Sequence, residues 1–138
     1  MGLADEKLKL SFKSTAERFE KNFASKDFPL KFEVQWDTFT GLTSNMVSLA
    51  ESVASTFATA LNDYHMNKNI EHYKMAWDAV NSSFNTIVMV HAKDLKKLDY
   101  KLEIKDKKLF FTANFTEFVF SPSRDGQKTL KESLEAIL

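Results

Sequence analysis

Three histidines are the side chains in this sequence best suited to metal or proton chemistry. His65, Glu71 and His72 together would offer two imidazoles and a carboxylate to zinc or iron, and Met75 lies one helical turn after His72, as a soft ion such as Cu(I) would require. The HExxH and paired ExxH spacings that mark metal-binding helices do not occur. We therefore expect His65 in a turn between two helices and His72 on a solvated helix face, with no bound metal and no cofactor.

His91 is the third candidate, and it ends a long run of regularly spaced apolar residues. A general base at this position would need a carboxylate, such as Asp94 or Asp99, within hydrogen-bond distance. A histidine in the last turn of a helix interacts favourably with the helix dipole, and we expect this structural role for His91. His65, His72 and His91 are therefore only weak candidates for a polar site.

Nucleophilic and carboxylate catalysis have little support in the sequence. The chain has no cysteine, which excludes thiol nucleophiles, disulfides and cysteine-bound metals. The segment Gly41–Ser44 lacks the second glycine of a nucleophile elbow. Glu33 and Asp37 on one strand and Glu103 on another would supply the paired carboxylates of a glycosidase, but solvated charges on a sheet are far more common. We expect a protein without catalysis of its own.

Aromatic residues are the most unusual feature, because the 138 residues include thirteen Phe, two Trp and three Tyr. They would suit a solid, Phe-rich core. They would also suit a pocket for an apolar or aromatic small molecule. Its walls would be Phe32, Trp36, Phe57, Trp77, Phe111 and Phe115. A third arrangement is a subunit interface, since aromatic residues are good interface anchors. Its anchors would be Tyr73, Trp77 and Phe84.

Charge and terminal sequence bear on partners and location. Lys and Arg together equal Asp and Glu at 19 each, whereas nucleic-acid binding normally needs a basic surplus, so we expect no nucleic-acid partner. The first seven residues contain two acids and no apolar segment of the kind found in signal peptides. The longest aliphatic run, Ile87–Val90, is far too short to span a bilayer. We predict a cytoplasmic protein that does not contact membranes.

The elements that must position these residues follow from hydrophobic periodicity. Apolar residues at helical spacing predict a first helix over about residues 4–25 and a second that begins at Thr43 or Ser44. Strict alternation of apolar and polar residues over 30–37 predicts a strand between them. Only three glycines and two prolines are present, which favours long elements and few turns.

The third helix carries the most regular pattern in the chain, with apolar residues in steps of three and four. The members of this seam are Ile70, Tyr73, Trp77, Val80, Phe84, Ile87 and His91. Three successive heptads of this kind are typical of a packed helix. The β-branched run Ile87–Val90 would also suit a strand, but the heptad spacing continues through it and favours a helix.

Two more strands are predicted over 98–104 and 109–115, joined by a tight turn at Asp106 and Lys107. The last strand continues to Phe120 with both faces partly apolar, which predicts a central strand. Its change of phase predicts a bulge near Thr116. Ser121 and Pro122 suit the start of a final helix.

Together these elements predict a single α+β domain over residues 1–138, in the order α-β-α-α-β-β-α. A small, three-stranded, mainly antiparallel sheet would be packed by a long helical hairpin and by the terminal helices. The sustained seam and the absence of catalytic motifs predict a non-catalytic binding or interaction domain that forms a homodimer. The alternative is a small-molecule-binding domain, with or without enzymatic activity, whose aromatic-lined apolar pocket lies between helices and sheet.

Overall fold

Four α-helices and four strands occur in the computed structural model, which describes residues 2–120 and 126–138. The helices are α1 (Leu3–Ala24), α2 (Ser44–Met66), α3 (Glu71–Ser83) and α4 (Gly126–Ile137). The strands are β1 (Lys31–Val34), β2 (Thr86–His91), β3 (Tyr100–Lys105) and β4 (Lys108–Ala113), and a turn of 3₁₀-helix at Trp36–Thr38 follows β1. The predicted cap of α2 is present, since the Thr43 side chain accepts a hydrogen bond from the Met46 N–H at 3.2 Å.

The four strands form one mixed sheet in the order β1-β2-β4-β3. β2 lies parallel to both β1 and β4, and only β3 and β4 are antiparallel. The prediction of a three-stranded, mainly antiparallel sheet is therefore wrong. β1 and β2 are parallel because of the connection between them. α2 and α3 carry the chain from the end of β1 back to the start of β2, and such a crossover joins parallel strands.

The additional strand, β2, occupies residues that we expected at the end of the third helix. α3 ends at Ser83, and Phe84 has an extended backbone with φ −156° and ψ 161°. Ile87 is fully buried on one face of β2 and Val88 is only 4% exposed on the other, so the strand reads as a continuous apolar run. The expected position of His91 in a last helical turn is also wrong, since it closes β2.

The hairpin of β3 and β4 forms as predicted, with Asp106 and Lys107 at its turn. Both residues have positive φ, 53° and 64°, which is the conformation of a type I′ turn. β4 is a central strand, as expected, but it ends at Ala113. The expected bulge near Thr116 is a turn instead, in which the Asn114 side-chain oxygen accepts the Thr116 N–H at 3.1 Å and its hydroxyl at 2.6 Å. The predicted helix start at residues 121–122 lies outside the described residues.

The described helices share one side of the sheet, around a core rich in aromatic rings. α2 packs against α1, α3 and α4, while α1 also meets β1 and α4 meets β3. Phe57 of α2 meets Phe111 of β4 edge to face at 5.6 Å, and Phe111 contacts Phe115 and Phe118 in turn. An aromatic-rich core, one of the three arrangements that the composition suits, is therefore present. The opposite face of the sheet carries the alternate side chains of each strand.

Candidate binding groove

A groove of about 1170 Å³ runs between α1 and the outer edge of β1. We call it the α1–β1 groove. Its apolar wall includes Leu10, Phe12 and Ala16 of α1, Phe32 and Val34 of β1, and Trp36 of the following 3₁₀ turn. Its charged rim includes Lys13, Glu17, Lys21, Lys31 and Lys108. The groove continues around the edge of the sheet to Val88 and Phe110 on the face opposite the helices.

The residue sizes along α1 account for this groove. Phe12 meets Trp36 edge to face at 6.0 Å, and Phe19 meets Phe32 in the same manner at 6.2 Å. These two contacts pack α1 against β1 and the 3₁₀ turn that follows it. Ala16 lies between them on the same helical face, and its small side chain leaves space beside the strand that a larger residue would fill.

The edge of β1 that borders the groove carries backbone groups outside the sheet ladder. The N–H groups of Lys31 and Gln35 donate to carbonyls on the β2 side, each at 2.9 Å. Because strand residues alternate, the backbone groups of Phe32 and Val34 point to the opposite edge. The Phe32 N–H accordingly bonds to Oε2 of Glu20, at 2.9 Å. A helix carboxylate thus occupies the position where a neighbouring strand would place its carbonyl.

The charges at the rim are paired loosely. Lys108 Nζ lies 3.1 Å from a Glu33 carboxylate oxygen, and Lys9 Nζ lies 4.0 Å from that of Glu6 and 5.8 Å from the centre of the Trp36 ring. Ion pairs that are this exposed contribute little to stability. The groove therefore offers aromatic surface, strand-edge amides and adjustable charges, which is equipment for binding. The described residues contain no group of three or more His, Cys, Asp or Glu placed to hold a metal ion.

The six residues predicted to line a pocket fall into three separate places. Phe32 and Trp36 line the α1–β1 groove. Phe57, Phe111 and Phe115 lie in the core between helices and sheet, each with no exposed surface. Trp77 is elsewhere, 8% exposed, and packs on Phe23 and Phe28.

The three predicted interface anchors, Tyr73, Trp77 and Phe84, lie on the inner side of the chain rather than on a free helix face. Phe84 is fully buried and Trp77 nearly so. Tyr73 is half-buried against Tyr64, with ring centres 6.3 Å apart. The outer face of α3 instead presents Met75, which is 66% exposed.

His91 and His65 are committed to local contacts. The His91 Nδ1 accepts the Phe115 N–H at 3.0 Å, and burial lowers the pKa of His91. His65 lies in the last turn of α2, rather than in the loop that we expected, with its ring 5.1 Å from that of Trp77. Desolvation lowers the pKa of His65, and the nearby Lys68 ammonium lowers it further.

The remaining histidine, His72, lies on the exposed face of α3, with its ring centre 4.6 Å from that of Tyr73. Met75 follows His72 by one turn of α3, which is the spacing that two ligands of one ion would need. The three histidines therefore lie in different environments, and the structure does not gather them into one site. Each imidazole ring contacts a neighbouring residue of its own chain, as a structural histidine does.

A second polar cluster joins the last helix to α2. The Tyr64 hydroxyl donates to a Glu135 carboxylate oxygen at 2.9 Å, and Lys131 forms an ion pair with Asp63. Burial raises the pKa of Tyr64, and the hydrogen bond to Glu135 raises it further. The Lys131 ammonium also lies over the Tyr64 ring, 5.8 Å from its centre. These contacts fasten α4 in place.

Sequence reasoning missed Glu20 and Leu10, which complete the groove. Leu10 was outside the predicted apolar stripe of the first helix, and it is 60% exposed. Glu20 carried no signal, because its contact with Phe32 depends on how the chain reverses between α1 and β1. A leucine on the polar face of an otherwise well-patterned helix was the one available indication.

Comparison of the chain with protein-family models, with curated proteins and with solved structures found no match. Among the described residues, every helix is too short or too polar to cross a membrane.

Proposed function

We propose that this chain is a non-catalytic interaction domain that binds an extended polypeptide segment in the α1–β1 groove. The observation that carries the proposal is that the edge of β1 without a neighbouring strand lies beside an apolar groove of about 1170 Å³. Strand addition uses such an edge, since main-chain hydrogen bonds supply affinity and side-chain pockets supply specificity. Cytoplasmic localisation remains part of the proposal, as a prediction from the sequence.

Glu20 gives this edge a way to remain closed when no partner is bound. Its carboxylate satisfies the Phe32 N–H, which would otherwise face the groove without a protein acceptor. A bound segment would replace that carboxylate with a backbone carbonyl and release Glu20 to water. The exchange conserves one hydrogen bond, so the apolar wall would supply most of the net affinity.

A small apolar or aromatic molecule is the second candidate for the same groove. The aromatic side chains of Phe12, Phe32 and Trp36 favour it, because ligand pockets are lined mainly by such residues. This candidate uses the wall of the groove but not the strand edge. The two ligand classes can therefore be distinguished in one set of experiments.

The test is selection of random peptides displayed on phage against the immobilised protein. Leu10→Lys places a charge in the groove, and Leu3→Lys makes the same change on α1 at a residue that is 72% exposed and outside the groove. Selected peptides should bind the wild type and Leu3→Lys with equal affinity. They should bind Leu10→Lys with an affinity lower by about tenfold or more.

Two other results would count against the proposal. If no peptide is enriched, or if enriched peptides bind Leu10→Lys normally, the groove does not bind free peptides. If the apolar dye ANS binds in a Leu10-dependent manner while no peptide does, the small-molecule candidate replaces it.

A further inference from the structure

The edge of β1 has a sequence that is complementary to itself. We infer that the segment bound in the α1–β1 groove is β1 of a second copy of this chain, paired antiparallel about a two-fold axis at Phe32. The inference rests on the proposed function and names its partner. It also moves the expected homodimer from the aromatic seam of α3 to the edge of the sheet.

Charge complementarity along the strand is the first argument. Lys31 and Glu33 both lie on the face of the sheet away from the helices, and both are exposed. Residues directly opposite each other in an antiparallel pair lie on the same face. With Phe32 opposite Phe32 of the second copy, Lys31 faces Glu33 of that copy, and Glu33 faces its Lys31. The symmetry therefore forms two favourable pairs from one short sequence.

The direction of the backbone groups is the second argument. Phe32 has both its N–H and its C=O on the edge away from β2, as the alternation with Lys31 and Gln35 requires. Two such residues opposite each other exchange a pair of hydrogen bonds. The Glu20 carboxylate occupies this N–H in the single chain, so it marks the position that the second copy's carbonyl would take.

The shape of the surface beside the strand is the third argument. A continuous sheet through both copies brings the two α1 helices side by side, because both lie on the same face. Leu10 is 60% exposed on α1 and lines the groove, so this arrangement covers an apolar side chain that the single chain leaves in water.

The opposite edge of the sheet provides a matched control. β3 carries Lys101 and Glu103 at the same spacing as Lys31 and Glu33, and both are likewise exposed. The cavity beside β3 is smaller, at about 640 Å³. Charge changes on β3 reproduce the chemistry of the β1 changes at the wrong edge.

The experiment measures the mass of the full chain by native mass spectrometry and sedimentation across micromolar concentrations. We expect a dimer for the wild type. Lys31→Glu and Glu33→Lys each oppose like charges twice and should weaken it about tenfold. The double variant Lys31→Glu/Glu33→Lys exchanges the charges and should restore it. The double variant also lacks the Glu33–Lys108 pair, so recovery cannot come from that contact.

Mixing the two single variants gives the sharpest result. A Lys31→Glu chain and a Glu33→Lys chain are complementary to each other, so the mixture should form heterodimers although neither variant pairs well alone. General loss of folding could not produce this recovery. Lys101→Glu and Glu103→Lys should leave the dimer unchanged.

A monomer at all concentrations would overturn the inference, and so would a dimer that responds to the β3 changes or ignores the β1 changes. The proposed function would survive each of these results if selected peptides still bound in a Leu10-dependent manner. If no selected peptide bound in that manner while the charge-dependent dimer remained, general peptide binding would be rejected and self-association through β1 would stand.

Discussion

His91 and Asn114, two polar residues at the carboxyl ends of the parallel strands, make hydrogen bonds within the fold. The carboxyl ends of parallel strands are the usual place for a ligand, and here they carry His91 and Asn114. His91 accepts the Phe115 N–H, while the buried Asn114 amide donates to the Leu95 carbonyl at 3.2 Å and its oxygen accepts from Thr116. These hydrogen bonds hold both side chains against the backbone at this end of the sheet.

His91 should make the protein sensitive to acid. Burial lowers its pKa from the ordinary value of 6.5, so the unfolded chain binds a proton more readily than the folded one. The free energy of unfolding should therefore fall as the pH drops below about 6.5. His91→Asn keeps an acceptor oxygen near the position of Nδ1 and removes the titration, so urea unfolding should show a shallower decline between about pH 7 and pH 5.

The decline should persist in part, because desolvation and Lys68 also lower the pKa of His65. His72→Asn is the control, since that ring is exposed on α3, and this variant should retain the wild-type slope. A His91→Asn slope equal to that of the wild type would assign the acid sensitivity to other groups.

At the scale of single elements, the sequence predicted those with one buried face and missed the one with two. α1 and the alternating β1 were recognisable because polar and apolar residues separate cleanly by period. β2 was not, since Ile87 and Val88 are both buried and its apolar run continues the three-and-four spacing of α3. The position of Leu10 on the polar face of α1 could have indicated the groove. Its closure by Glu20 could not, because it depends on a contact between elements.

The turn between β3 and β4 supplies a prediction at this scale. Lys107 has φ 64°, a backbone conformation that is strained for residues other than glycine. Lys107→Gly should therefore raise the free energy of unfolding by about 0.5–1 kcal/mol, even though it removes an exposed hydrogen bond to the Ser82 carbonyl. Denaturant unfolding measures the change.

Lys105→Gly is the matched control for this turn, because it makes the same substitution in the strand just before it. It should lower the free energy of unfolding by about 0.5–1 kcal/mol, since glycine weakens a strand. Destabilisation of similar size in both variants would contradict a strained turn.

At the scale of the whole molecule, the strand order and the packing of the helices on one face of the sheet determine which surfaces remain exposed. β1 is an edge strand because β4 lies on the other side of β2, and α1 covers its inner face while the Glu20 side chain of α1 reaches its outer edge. The composition suited an aromatic core among other arrangements but did not predict the strand order, because pairing order depends on contacts far apart in the chain. Trp77 marks the difference, since it was a candidate for core, pocket and interface alike.

Trp77 should behave as a core residue that joins three elements. Its ring centre lies 6.4 Å from that of Phe23 in α1, 5.2 Å from that of Phe28 in the following loop and 5.1 Å from that of His65 in α2. Trp77→Ala should cost about 3–5 kcal/mol of unfolding free energy, as truncation of a large buried side chain does.

The companion measurement for Trp77 is the native mass of the folded protein, compared with that of Met75→Ala, which truncates an exposed residue on the same helix. Met75→Ala should change stability by less than about 0.5 kcal/mol. Neither substitution should change the subunit count at a concentration where the protein remains folded, because the side chain of Trp77 is already covered by its own chain. If Trp77→Ala instead changed the subunit count and left the unfolding midpoint unchanged, the aromatic seam of α3 would be the subunit interface. That result would contradict dimerisation through β1.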